Sequence, residues 1–413
     1  MIDKIKHIKY LVFSYFVTFS NIVTGLVLFP MIIKFQGLEE LGVFGLLFST
    51  KAIVDIGLGW LSSSMTRSLL KTRFNFNNIA TVSFFVNSAY GVISAGLVFL
   101  YGWIYKVDYL TTYSVFAVYI TVSFITIPCF EVLNAKLLQF KVAYFRFVQQ
   151  FIFMILAIVG YYYFRNITTI FLSLLLASVT VFIYSFIYIK FKGLFSFSIT
   201  KHYKKILNRV FLSQGALYFV NGILTIMLLQ IDVFIIEYFF GTEDVGKFIL
   251  LWRIPNTIIM LGWRVSEPLQ HDFGRNYKKN NNTDLRKTFY YYERIVLLVA
   301  IIGSISYLFL GEFVLTLWLG AGEYPSYDYM FTVSSLVIFF AIIQRFYSNV
   351  CYYTKGLERV SFLLLVEIIF KIVFVSLLYD DLSVMSSIYG WAIAFLFTLP
   401  FYRVNAKKLF NEK

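Results

Sequence analysis

Apolar residues run along this chain in long unbroken stretches, not at alternate positions and not on a single helical face. They fall at roughly 10–33, 42–65, 79–105, 110–130, 147–164 and 169–189, and again at roughly 211–236, 245–266, 295–318, 329–350, 361–378 and 384–402. Each stretch is near the ~20 residues a helix needs to cross a bilayer. Strands do not fit, because no run alternates and an open sheet cannot satisfy its backbone in lipid. The pattern predicts an all-α polytopic membrane protein of about twelve transmembrane helices, six in each half.

Two short polar interruptions resemble each other. Phe35-Gln36-Gly37-Leu38-Glu39-Glu40-Leu41-Gly42-Val43-Phe44 and Phe239-Phe240-Gly241-Thr242-Glu243-Asp244-Val245-Gly246-Lys247-Phe248 share the spacing of Phe, Gly, Glu, Gly and Phe. In each, an acidic turn joins two apolar runs, as expected of a duplicated unit. The predicted organisation is two pseudo-symmetric six-helix lobes, 1–192 and 210–413, joined by a basic linker, 193–209. Repeats of this kind are typical of transporters, whose substrate path lies between the halves. In the linker, Lys201, Lys204, Lys205 and Arg209 interleave with Tyr203, Ile206 and Leu207, the pattern of a short helix lying on an anionic membrane surface.

Composition agrees with the class. Of 413 residues, 59% are hydrophobic and 14% charged, with mean hydropathy +0.76. The net charge of +14 would suggest nucleic acid in a soluble protein, but its distribution is topological. About 27 Lys and Arg lie in the head, the even-numbered connections and the tail, against four, Lys34, Lys106, Arg165 and Lys247, in the alternate connections. By the positive-inside rule both termini are cytoplasmic, and nucleic-acid binding is excluded. The head Met1–Lys9 is basic, and the run after it spans without a small-residue cleavage site, so the first helix is expected to stay in place. Aromatic residues make up 21%, and clusters such as Tyr161–Tyr163 and Tyr290–Tyr292 fall near predicted helix ends, where amphipathic rings prefer the headgroup zone.

Candidate chemistry is sparse. Cys129 and Cys351 fall near cytoplasmic helix ends, so a disulfide is not expected. No His/Cys cluster has metal-ligand spacing, no phosphate-binding glycine loop occurs and no Ser-His-Asp set can be assembled, so neither enzyme, metal nor cofactor is predicted. Charges inside spans carry more information, because each is costly in hydrocarbon. Lys51 with Asp55 and Glu367 with Lys371 are pairs four residues apart on single helices, where an internal ion pair competes with a functional role. Arg253 has no acid one turn away and is the leading candidate to meet an anionic substrate, with Asp232 as the competing internal partner. Pro255, two residues on, removes a helix hydrogen bond beside it. Lys51 and Arg345 complete the substrate-binding candidates, and Asp55, Asp232 and Glu367 are the residues that could couple transport to protons or sodium.

From Asn21 through Pro30, Gly37, Gly42-Val43-Phe44, Asp55-Ile56-Gly57-Leu58 and Arg67, the chain resembles the start of the polysaccharide-type exporters of the multidrug/oligosaccharidyl-lipid/polysaccharide superfamily. Asp232, Phe240-Gly241, Val245-Gly246, Arg253, Pro268 and Leu317-Trp318-Leu319-Gly320 are similar to that family's second half. Within it, the O-antigen or capsule repeat-unit flippases are most similar. The resemblance implies a V-shaped molecule whose positively lined central cavity carries an undecaprenyl-pyrophosphate-linked oligosaccharide from the cytoplasmic to the periplasmic leaflet by alternating access. It further implies a bacterial inner membrane, surrounding lipids, and a polysaccharide polymerase and chain-length regulator as partners. Multidrug-type exporters of the superfamily share the helix count but bind cations, which Lys51 and Arg253 would repel. Membrane glycosyltransferases and O-antigen polymerases act on the same lipid-linked sugars, but usually carry a sizeable outward loop that is missing from this pattern.

Overall fold

The computed structural model describes residues 2–57, 61, 75–136, 138–198, 203–208, 216–265, 282–320, 322, 324–352 and 357–408. Arg67, Lys201, Arg209 and Pro268 lie outside them. All the regular structure among the described residues is helical: α1 Ile2–Gln36, α2 Leu38–Val54, α3 Phe76–Tyr105, α4 Leu110–Ala135, α5 Gln139–Phe164, α6 Ile167–Phe191, α7 Ala216–Phe240, α8 Thr242–Val265, α9 Asn282–Leu319, α10 Met330–Tyr352, α11 Leu357–Leu382 and α12 Met385–Lys408. A 3-10 turn, Val107–Tyr109, precedes α4, and the linker holds a single helical turn, Tyr203–Ile206, with Ile206 buried and Lys204 and Lys205 exposed.

Eleven helices among the described residues are long and apolar enough to cross a membrane. The expected span at 42–65 is helical as α2, and most of its remainder lies outside the described residues. Helix ends are set by local chemistry. Asn75 accepts the Asn77 backbone N–H at 3.0 Å to cap α3, and Asn166 accepts that of Thr168 at 2.8 Å to cap α6, each satisfying a donor that the helix start leaves free.

The two similar stretches adopt the same corner. Gly37, between α1 and α2, has φ +91°, and its N–H is shared by the carbonyls of Ile32 and Ile33 at 3.2 and 3.0 Å. Gly241, between α7 and α8, has φ +92° and shares its N–H with Ile236 and Glu237 at 3.2 and 3.1 Å. Acids open the helix that follows in both, Glu39 and Glu40 in α2 and Glu243 and Asp244 in α8, where the helix dipole favours them.

The chain divides into two compact units, one of Met1–Glu40 and Leu47–Gly222, the other of Leu41–Leu46 and Ile223–Lys413. In the first, α3 packs on α4, α4 on α6, and α5 on α6 and α1. Close approach of α3 to α4 is permitted at Gly102, where a Cβ would lie 2.5 Å from the side chain of Tyr113. In the second, α9 packs on α10, α10 on α12 and α11 on α12, repeating the pairings of α3 with α4, α4 with α6 and α5 with α6 six helices later. Val337, Ile338, Ala341, Ile342, Phe346 and Val350 of α10 are buried at its centre.

Candidate functional site: intramembrane charges and the pocket of the second unit

In the first unit, Lys51 and Asp55 form the ion pair that their spacing allows, with side chains 21% and 25% exposed. The Lys51 ammonium also lies 5.9 Å from the Tyr119 ring centroid. Asp55 caps the end of α2, its N–H donating to the Lys51 carbonyl at 2.7 Å.

The second unit corrects one expectation. Glu367 and Lys371 share a face of α11, yet Lys371 pairs with Asp232 of α7. Both are sealed, at 0% and 1% exposure. The ammonium also donates to the Leu228 carbonyl at 2.7 Å and sits 3.9 Å over the Trp391 ring, a cation–π contact strengthened by exclusion of water. Asp232 accepts further hydrogen bonds from Ser387 Oγ and from Trp391 Nε1, the latter at 2.9 Å. Glu367 is occupied elsewhere: Thr398 Oγ1 donates to it at 2.7 Å, and Gln344 Nε2 and Tyr402 OH at 3.3 Å each. Helical spacing places Glu367 and Lys371 side by side, but the partners that saturate each come from other helices. The internal counter-charge of Asp232 is therefore Lys371 rather than Arg253.

Arg253 lies near the middle of α8 and is half-buried. The helix continues through Pro255, and Thr257 Oγ1 donates to the Arg253 carbonyl at 2.8 Å. Arg345, on α10, is also half-buried, its guanidinium 5.1 Å from the Trp263 ring centroid. It lines a pocket that α7, α8, α10, α11 and α12 enclose, together with Trp263, Gln344, Ser348, Trp391 and Phe395 among others.

Several functional-looking groups escape the sequence pattern. Glu293, 5% exposed, accepts from Tyr347 OH at 2.6 Å and from Arg403 Nε at 3.2 Å. It sits before the apolar run at 295–318, in a polar stretch that nonetheless continues α9. Trp391 and Ser387 are four apart on α12, a spacing that would have placed both on one face, but only the fold shows that this face meets Asp232. Among the described residues, no three His, Cys, Asp or Glu side chains gather where a metal could sit.

No protein-family profile and no curated protein sequence matches the chain. Solved structures match across nearly its whole length. An inward-facing multidrug resistance MATE family transporter of the MOP superfamily has 14% identity, 97% of this chain and 98% of that one covered, and TM-score 0.69. The lipid II flippase MurJ in an inward closed conformation has 13% identity, 96% and 87% covered, and TM-score 0.71. A MOP superfamily transporter from Pyrococcus furiosus, described by the reversed polarity of its binding pocket, has 14% identity, 97% and 96% covered, and TM-score 0.65. The chain has the fold of MOP superfamily transporters and flippases.

Proposed function

We propose that the protein is a flippase for an undecaprenyl-pyrophosphate-linked oligosaccharide, an O-antigen or capsule repeat unit, moving it from the cytoplasmic to the periplasmic leaflet of a bacterial inner membrane. Both termini are then cytoplasmic, and a polysaccharide polymerase with its chain-length regulator receives the product. The observation that carries this proposal is an asymmetry of charge in the second unit. Its intramembrane acids Asp232 and Glu367 are sealed and saturated, whereas the cations Arg253 and Arg345 are half-open. Half-exposed cations favour an anionic passenger, and Asp232 and Glu367 are closed to a cationic drug. Lys51 in the first unit adds a third half-buried cation, tempered by Asp55. The lipid II flippase neighbour supports the same class of passenger, while the MATE neighbours keep multidrug export as the competing function.

Deleting the gene separates these functions and the enzymatic one. Repeat units should still be assembled, and should accumulate on the cytoplasmic leaflet, where membrane-impermeant glycosidase added to spheroplasts cannot reach them. Arrest at the first sugar transfers would instead assign the protein to synthesis. Normal display of units, with loss of resistance to cationic dyes, would assign it to multidrug export.

A further inference from the structure

α6 of the first unit ends in a turn that folds the chain back onto α3. Lys192 caps the helix, Gly193 takes φ +59°, and the N–H groups of Gly193 and Leu194 return to the Lys190 and Ile189 carbonyls at 3.0 Å each, a left-handed closure of the helix end. The segment after it is docked. The N–H groups of Ser196 and Ser198 donate to Asn77 Oδ1 and Thr81 Oγ1 at 3.4 and 3.0 Å, and Ser198 Oγ donates to Asn78 Oδ1 at 2.6 Å. Phe195 is buried and stacked on Phe84, and Ile206 of the linker turn is sealed in the same apolar cluster. The linker therefore begins as a fixed part of the first unit.

This docking builds a rim of lysines on aromatic rings. The Lys141 ammonium of α5 has three rings around it, those of Phe140, Tyr144 and, on α6, Tyr188, with centroids at 5.3, 5.9 and 5.4 Å. Lys190 lies 5.3 Å from the Phe197 centroid in the docked segment, and Lys136, after α4, lies 4.3 Å from that of Phe76 at the start of α3. A ring occupies one side of an ammonium and leaves N–H donors for another partner. Acids do not fill that place. From residue 76 to 209 the chain carries two, Asp108 and Glu131; Asp108 lies at the opposite end of the helices and Glu131 is buried.

The neighbouring surface selects the occupant. Ile183, Ile187 and Phe191 recur every fourth residue of α6 and are all exposed, an apolar stripe that runs along the helix to the lysines. A soluble polyanion would match the lysines and leave the stripe uncovered, whereas a phospholipid matches both. We propose that this rim binds an anionic phospholipid, its phosphate held by Lys141 and Lys190 within the field of Lys136, and its acyl chains laid along the stripe. Placement in the cytoplasmic leaflet rests on the orientation proposed above. The affinity does not, and neither depends on what the protein carries.

The test uses the full chain in nanodiscs of phosphatidylcholine with a graded fraction of phosphatidylglycerol, and native mass spectrometry to count the lipid each protein retains. Phosphatidylglycerol should be retained in preference to phosphatidylcholine, and less so as salt is raised. Lys141→Gln and Lys190→Gln should each weaken its apparent affinity roughly fivefold, and together roughly twentyfold. The pair Lys407→Gln with Lys408→Gln, at the end of α12 in the second unit, should leave it unchanged. Either single variant carries the test if the double one does not fold. Equal retention of the two lipids, or equal loss in the two pairs of variants, overturns the site. Glycerophosphoglycerol, the same headgroup without chains, and inorganic phosphate should not compete; displacement of the lipid by either at equal concentration would show an anion site without the stripe and overturn the lipid assignment.

Discussion

At the residue scale, the buried pair of Asp232 and Lys371 is the strongest commitment in the second unit. Two charges taken out of water are tolerated only because each is saturated: the carboxylate by Lys371, Ser387 and Trp391, the ammonium by Asp232, the Leu228 carbonyl and the Trp391 face. Removing one member leaves the other buried without its counter-charge, which costs about 3–5 kcal/mol, whereas replacing both by neutral groups recovers much of that. Lys371→Met should therefore lower the thermal unfolding midpoint in detergent strongly. The double variant Lys371→Met with Asp232→Asn should be closer to wild type than Lys371→Met alone. A double variant as unstable as the sum of the two single ones would show that the pair is not coupled. The same residues show where sequence reading stops. Glu367 and Lys371 are legible as neighbours because helical spacing is local, but Asp232 is 139 positions from Lys371, and no pattern along the chain joins them.

At the scale of elements, the corner around Gly37 is the feature that the chain repeats. With φ +91° and ψ −172°, Gly37 occupies a region that side chains avoid, at a cost of about 1–3 kcal/mol. A Cβ there meets open space, so the penalty is conformational rather than steric. Gly37→Ala should lower the unfolding midpoint by an amount consistent with that range, and Gly241→Ala, at φ +92°, should do nearly the same. Two glycine corners with markedly different sensitivities would mean that the shared spacing does not reflect a shared structural demand. Helices are the most legible part of the fold, since among the described residues each continuous apolar run falls in a helix. Their ends were less so. α9 begins at Asn282, well before the run at 295–318, because the polar stretch up to Glu293 packs one buried face that hydrophobicity alone does not mark. The pocket was legible only as the isolated candidate Arg345, since its walls come from five helices whose contacts are set by packing.

At the scale of the whole molecule, the decisive property is which charges remain open inside the spans. Arg253 and Arg345 are half-buried while Asp232 and Glu367 are sealed, so under the proposed flippase function the second unit would meet its passenger with cations. A charge-assisted contact to a desolvated phosphate is worth about 1.5–3 kcal/mol, and reversing the sign adds repulsion to that loss. The most direct measurement is translocation by the purified chain, reconstituted in vesicles with undecaprenyl-pyrophosphate-linked oligosaccharide and read by the fraction of glycan an external glycosidase can cleave over time. Wild type should move the lipid between leaflets, Arg253→Lys should retain much of that rate, Arg253→Ala should lose roughly tenfold to a hundredfold, and Arg253→Glu should be inactive at equal incorporation. Vesicles that leave the lipid-linked glycan in place but carry a cationic dye, or an Arg253→Glu protein that translocates the glycan at the wild-type rate, would contradict the account.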